Sequence, residues 1–284
     1  MTTLNAVVRV LEPYRARRDK VHASAPRAFT SLEVEHALRL AAMAADAHAT
    51  SELSLAALWR DLARGRHSVV DGFFSEERCY LILSTTLDNG TLPVEGRRLE
   101  ILELVLKGMR QKNIAIDLVL APSTVALNSK LALEGLGVAG KPSRAHPLLM
   151  LAARAATEPV VARATAASFV AHDGRELCVI GIGRPDRSLG RVLPTAELAV
   201  IRSLVEGLAY EEIARRRGTS TRTIANQISA VFRRLRVSGR NELVQLLFFD
   251  ETLGKPLTKP ARTLAPRAKN PKHPAPLGSA RRSA

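Results

Sequence analysis

The chain has 284 residues, of which 46% are hydrophobic and only 4% aromatic, and its 42 Lys or Arg against 27 Asp or Glu give a formal net charge of +15. That size allows two modest domains or several small ones, and the low aromatic share disfavours an aromatic-rich β-sandwich against small helical cores of Leu, Ala, Val and Ile. Two cysteines, Cys79 and Cys178, exclude a disulfide framework, and no apolar run reaches the roughly 18 residues of a membrane span. The N-terminus lacks the long apolar stretch and cleavage site of a signal peptide, so a cytoplasmic protein is expected. The positive excess suits a polyanionic partner, nucleic acid or an anionic membrane surface.

Residues 1–65 read as an N-terminal helical segment. SLEVEHALRLAAMAADAH (31–48) is alanine-rich with Ser31 placed as an N-cap. A second helix is predicted through LSLAALWRDLARG, ending at Gly65, with Trp59 packed in the core. HSVVDGFFSEERCYLILS (67–84) has two β-prone runs around a polar turn and predicts a hairpin. A helix-rich block follows to about residue 156. ASFVAHDGRELCVIGIG (167–183) predicts another hairpin, with Asp173-Gly174 as a type I′ turn. Helices resume to Asp250. From Glu251 the chain carries eight Lys or Arg against one acid, six prolines and no aromatic residue, the composition of a disordered basic tail.

The second half repeats the first at an offset of 99 positions. Cys79 falls on Cys178, Glu77 on Glu176, Leu99 on Leu198, Gly108 on Gly207, Ile114-Ala115 on Ile213-Ala214, and Thr124, Leu136 and Val138 on Thr223, Leu235 and Val237. One offset running through different elements predicts a duplicated unit, each copy a hairpin followed by four short helices. The two cysteines then share a strand position and read as small buried hydrophobes. Phe73, Phe74, Tyr80 and Phe169 cluster in the hairpins and read as core.

In copy two, PTAELAVIRSLVEG is a helix with Thr195 as its cap and Gly207 at its end. YEEIARRR and TRTIANQISAVFRRLRV follow, joined through Gly218 with Ser220 as cap, and SGRNELVQLLFF has Ser238 as cap. Two short helices across a Gly-bearing turn fit a helix-turn-helix. Ile224, Ile228, Val231 and Leu235 fall on one helical face. Arg222, Asn226, Ser229 and Arg233 keep the same spacing on another face, which contains no acid. Asn pairs with adenine and Arg with guanine or phosphate in the major groove. Thr223 and the helix N-terminus offer donors to a phosphate.

Residues 193–247 resemble the LuxR-type helix-turn-helix domain of bacterial transcription regulators. The shared positions are Leu193, Glu197, Gly207, Glu212-Ile213-Ala214, Ser220, Thr223-Ile224, Leu235, Val237 and Arg240. Copy one is similar through Lys112, Ile114-Ala115, Leu118, Ser123-Thr124-Val125 and Leu136-Gly137-Val138. The resemblance implies that the third helix enters the major groove and that the fourth often mediates dimer contacts. It places Ala225, Asn226 and Ser229 toward bases and Gln227 near the backbone. The family's usual lysine and histidine are absent, with Ala225 and Gln227 in copy two and Ala126 and Asn128 in copy one. Arg217 and Thr219 stand where apolar residues are usual. In copy one the outward stripe becomes Ser123, Leu127, Lys130 and Glu134, so Thr124, Ser123 and Lys130 are left for backbone contacts.

GLGVAGKP (135–142) begins like a P-loop but ends in Pro142 with no strand before it. The seven histidines show no metal-ligand spacing, and His172-Asp173 reads as a solvated turn. No catalytic constellation, cofactor or metal site emerges. The expected fold is mostly α (α+β), a duplicated hairpin-plus-helix-turn-helix unit. Its parts are residues 1–65, a degenerate copy one at 66–156, a DNA-reading copy two at 157–250, and the tail 251–284. The expected function is non-enzymatic: sequence-specific binding of double-stranded DNA in the bacterial nucleoid, with helix 221–236 in the major groove. Arg222, Thr223, Arg233, Arg234 and the tail supply phosphate contacts. Copy one then docks on the DNA backbone, contacts another protein, or pairs with copy two as an internal pseudo-dimer, and RNA polymerase and a second copy through the fourth helix are the further expected partners. The alternatives are a scaffold that binds polymerase or a sigma factor without reading DNA, and a non-specific nucleoid protein. With about five phosphates neutralised, log affinity falls with log salt at a slope of about −4 to −5. Deleting 251–284 is expected to flatten that slope and weaken all sequences alike in a binding titration.

Overall fold

The computed structural model describes residues 31–85, 93–140, 145–158, 160 and 162–249. The N-terminal thirty residues and the basic tail lie outside them. Helix α1 (Ser31–Asp46) leads to strand β1 (Ser51–Leu53) and α2 (Leu55–Ala63), then β2 (His67–Phe74) and β3 (Arg78–Thr85). Helices α3 (Gly96–Leu106), α4 (Gln111–Asp117), α5 (Pro122–Gly135) and α6 (Pro147–Ala155) follow. The second half has β4 (Ala164–Val170), β5 (Glu176–Gly183), a 3-10 turn (Pro185–Arg191), α7 (Thr195–Val205), α8 (Tyr210–Arg217), α9 (Thr221–Leu235) and α10 (Arg240–Phe249).

The two predicted hairpins are not separate covers. They merge into one antiparallel sheet of order β1-β4-β5-β3-β2. Its centre is the β3–β5 pair, where Leu81 faces Ile180, the residue 99 positions later. Alternation along these strands separates the core into two. Cys79, Leu81, Leu83, Ile180 and Ile182 join the large cluster with α2, α6 and the helices of both halves. Tyr80, Ile82, Leu177 and Val179 turn to the other face, where Phe73, Phe169 and Ala42 of α1 cover them. Phe73 stacks on Tyr80 with ring centroids 4.9 Å apart. Asp46 at the end of α1 pairs with Arg78 at 2.9 Å. Gly181 is required beneath that pair, because a Cβ there would lie 2.7 Å from Asp46 Oδ1.

Several local expectations change. The second hairpin closes with Ala171 and Arg175 bonded (N to O 2.9 Å) and Gly174 alone at positive φ. A type I′ turn needs positive φ at both central residues, so this is a type I turn with a glycine bulge. Thr195 is the first helical residue and Pro194 holds the cap position without a side-chain bond. Gly239 precedes α10, while Ser238 one residue earlier donates its hydroxyl to Glu242 Oε1 and its N–H to Glu242 Oε2 at 2.7 Å, the hydroxyl above all holding that carboxyl below the usual range. Residues 51–53, read as helix, form edge strand β1 instead, and Ser54 caps α2. Trp59 is buried as expected, its Nε1–H donating to Glu103 Oε1 at 2.7 Å.

Helices α7, α8 and α9 each begin 99 positions after α3, α4 and α5. The helix ends also correspond: Gly108, Val119 and Gly137 in the first half and Gly207, Gly218 and Arg236 in the second all take positive φ. At each, paired backbone bonds close the last turn in the Schellman pattern. The offset fails at α6, which starts at Pro147 where the offset from Arg240 would require an earlier position. Gly137 answers to a second constraint, since a Cβ would sit 2.6 Å from Val69 O. Cys79 is fully buried and burial pushes its thiol up to about 12, whereas Cys178 is half-buried.

His146 begins α6, its Nδ1 accepting from Leu148 N at 3.3 Å, and its ring packs on Phe74 with centroids 4.9 Å apart. Burial pushes this imidazole down to about 3. The unfolded chain, with an ordinary histidine near 6.5, binds more protons between those values. Stability is therefore full above about pH 6.5 and falls as pH drops, by on the order of 1 kcal/mol per unit. His146→Asn keeps a cap acceptor and is expected to remove this component. The check is the difference in urea midpoint between pH 7 and pH 5, wild type against variant.

Candidate nucleic-acid interface

The second-half helices build the site from a buried stripe and a free stripe on one element. Ile224 (0%), Ile228 (1%), Val231 (1%) and Leu235 (8%) are buried and pack α9 on α8 and α7. The 3.6-residue period then turns Arg222, Asn226, Ser229 and Arg233 outward, and all four are exposed. None of their side chains takes part in a hydrogen bond or ion pair among the described residues. The turn before α9 is set by Gly218, which ends α8 at φ 62° and bonds back to Ala214 and Arg215. Ser220 Oγ accepts from Thr223 N at 3.1 Å and caps α9.

That cap changes one expectation. The Thr223 N–H and hydroxyl are both engaged by Ser220, so the N–H groups left without an intrahelical partner at this helix start are those of Thr221 and Arg222. Gln227 is half-buried with its amide oxygen enclosed and unpartnered, and Ala225 is half-buried between the stripes. Arg234 is held by Glu197 of α7 at 2.7 Å and 3.4 Å. The sequence stripes did not single out the α8 arginines or Arg236. Arg215 and Arg216 are exposed and share Glu212, while Arg217 and Arg236 are exposed at the helix ends. Across residues 210–236 seven arginines stand against two glutamates, a net +5.

The corresponding surface of the first half differs. Residues 111–137 carry two lysines, Asp117 and Glu134, a net charge of zero. Ser123 is exposed and Thr124 half-buried, its carbonyl accepting from Asn128 at 2.9 Å. Lys130 pairs with Glu134 at 3.6 Å, and Leu127 stands exposed where the second half has Asn226. Beyond α5, Lys141 and Pro142 of the P-loop-like string lie outside the described residues.

Both units are held to the sheet and to each other. Arg184 is buried and joins Asp186 (2.9 Å), Glu206 capping the end of α7 (2.9 Å) and the Ser75 carbonyl in the β2–β3 turn (2.8 Å). Asp186, fully buried, also takes Arg202 at 3.1 Å. Helix α10 caps two other helices. Arg240 donates to the Leu204 and Val205 carbonyls ending α7, and Asn241 and Gln245 donate to Val105 and Leu106 ending α3. Leu243, Val244 and Leu247 are buried in the same place, while Leu246 and Phe248 of the fourth helix, expected as a dimer surface, stay half-buried.

A capped helix presenting arginine and amide groups outward from a helix-turn-helix frame is the arrangement of a DNA-binding regulatory domain. Residues 191–247 match the family described as bacterial regulatory proteins, luxR family (GerE). The matched residues lie wholly in the second half, and a LuxR-type domain is a DNA-binding regulatory domain, not typically a catalytic one. No curated protein matches the chain. No single helix among the described residues is long and apolar enough to cross a membrane.

The Glu197–Arg234 pair sets up a test. Glu197→Ala is expected to release Arg234 for a phosphate, tightening binding to duplex DNA and steepening the log-log salt slope by about 0.9. Titrations at several salt concentrations measure both.

Proposed function

We propose that the chain is a sequence-specific DNA-binding transcription regulator in which α9 lies in the major groove. The observation that carries this reading is the free, acid-less stripe Arg222, Asn226, Ser229 and Arg233 inside the luxR-family match. Asn226 and Ser229 reach base edges, Arg222 and Arg233 flank them toward bases or phosphates, and Arg217 and Arg236 extend the positive surface at the two ends of the frame. Direct readout belongs to the second half, since the neutral first half offers Leu127 in place of the amide.

The two halves also form one internal pair. Supporting this are the β3–β5 register that sets Leu81 against Ile180, the three helices at a constant offset, and the matching positive-φ helix ends. An approximate two-fold axis through the central strands relates a reading unit to a sister that has lost the reading residues. Such a chain recognises one half-site per molecule, and the tail 251–284 adds non-specific attraction.

Selection of bound duplexes from a random pool tests the reading, with a flat profile pointing to non-specific binding. Asn226→Ala is expected to cost about 1–3 kcal/mol at one base position, roughly 5- to 150-fold, and relax preference there. Lys130→Ala is expected to leave the selected sequence unchanged. Equal loss of preference in both variants, read by gel shift on the selected duplex, contradicts the division of labour.

A further inference from the structure

Helix α1 meets the sheet with one side and leaves a second apolar stripe open. Leu38, Ala41, Ala42 and Ala45 pack toward the strands. Leu32, His36, Leu40 and Met43 fall at i, i+4, i+8 and i+11, another side of the same helix. Leu32 is 76% exposed and Leu40 47%. His36, Leu40 and Met43 also line a groove of about 400 Å³, together with Phe73 and Phe74 of the β2–β3 hairpin. Exposed aliphatic and aromatic surface joined in one concavity marks an interaction site.

The chain supplies a matching piece beside the groove. Helix α1 begins at Ser31, so residues 1–30 join it at the Leu32 end of the open stripe. In LNAVVRVL (4–11), Leu4, Val7, Val8 and Leu11 keep the i, i+3, i+4 and i+7 spacing of one helical face, and Thr3 and Pro13 bound the run. The stripe from Leu32 to Met43 is about 16 Å long by helical rise, and a two-turn face covers most of it. Residues 12–30, extended, reach up to about 60 Å, enough to fold the run back over α1.

Charge selects this occupant. Residues 1–30 hold six Lys or Arg against Glu12 and Asp19, a net +4. Around the groove the exposed acids are Glu33 and Glu35 on α1 and Glu76 on the hairpin. The cations there are already matched: Arg39 is held by Asp71 at 2.7 Å, and Arg184 by Asp186 and Glu206 at 2.9 Å each. A basic segment thus meets an acidic rim, whereas a second α1 would bring like charge. Tethering also places the segment at an effective concentration on the order of millimolar. We propose that residues 4–11 dock as an amphipathic helix in the groove between α1 and the β2–β3 hairpin of their own chain. Leu4, Val7, Val8 and Leu11 face Leu40, Met43 and Phe74, with Arg15, Arg17 and Arg18 toward Glu33 and Glu35. The docked segment covers the Arg184–Glu206 bridge, which lines the same groove and ties the end of α7 to the sheet. The docking does not depend on DNA recognition by α9, and it is measured without DNA.

Hydrogen exchange of the full chain, read by mass spectrometry, is expected to show residues 4–11 protected. Val7→Asp and, separately, Leu40→Asp are each expected to speed exchange in that run by about tenfold or more, with β3 and β5 exchanging as in the wild type. Paired cysteines locate the segment. In a Cys178→Ser background, Val7→Cys with Leu40→Cys is expected to form a disulfide within one chain on treatment with diamide, seen as a monomer on a non-reducing gel. Val7→Cys with Leu127→Cys, on the apolar surface of α5, is expected to form none. Exchange in residues 4–11 as fast as in an unfolded peptide overturns the proposal, as does protection that survives Leu40→Asp. A crosslink to position 127 in place of 40 overturns it by moving the segment to α5. A disulfide between two chains overturns it by giving the groove to a second copy.

Discussion

Pairing of β3 with β5 is the constraint on which the rest of the structure depends. These two strands come from different halves of the chain, and their hydrogen bonds turn two hairpins into a single sheet with Leu81 and Ile180 at its middle. Once they are joined, alternation fixes which side chains meet α1 and which meet the helices. The larger core then draws on Leu102 and Leu106 from one half and Ile201 and Leu204 from the other. The helix α9 that the proposed function uses is held through this core, because α8 and α7 carry it and Arg184 with Asp186 binds α7 to the sheet.

Three helices of each half begin 99 positions apart, and their surfaces differ. Positions 99 apart keep their buried residues, Ile114 with Ile213 and Val125 with Ile224, and their helix-end geometry. They diverge where side chains face water: arginine and amide groups on one unit, leucine, isoleucine and valine on the other. Burial constrains the first set through packing, whereas an exposed position is free to serve whatever meets it. The arginine and amide groups on one frame, absent from the other, support the proposal that nucleic acid is met by the second half.

Much of this was legible in the sequence because it is local. The apolar and polar stripes of α9 follow from a 3.6-residue period, the Ser220 cap from its place before the run, and the Gly218 turn from glycine's tolerance of positive φ. What escaped depended on distant partners. No local signal says that two hairpins share one sheet, that Arg240 closes the end of α7, or that Glu197 occupies Arg234 from 37 residues away. Asp173-Gly174 looked like a type I′ turn because that dipeptide is common there, and a longer connection with a bulge won. Val119 was invisible to propensity, since nothing in composition announces a left-handed valine. The fourth helix carried a family expectation of dimer contact, and part of its apolar face, Leu243, Val244 and Leu247, packs inside the chain.

The enclosure of α10 bears on how separable the luxR-like segment is. Cut to its matched boundaries, 191–247, it would leave Arg184 and Asp186 behind and strip Asn241 and Gln245 of the carbonyls they hold. Its α10 would also lose the packing it makes on α6 and on the 3-10 turn. In this chain the segment is a graft that has grown into its host: portable in sequence, dependent in substance, and ill suited to transplantation as an autonomous module.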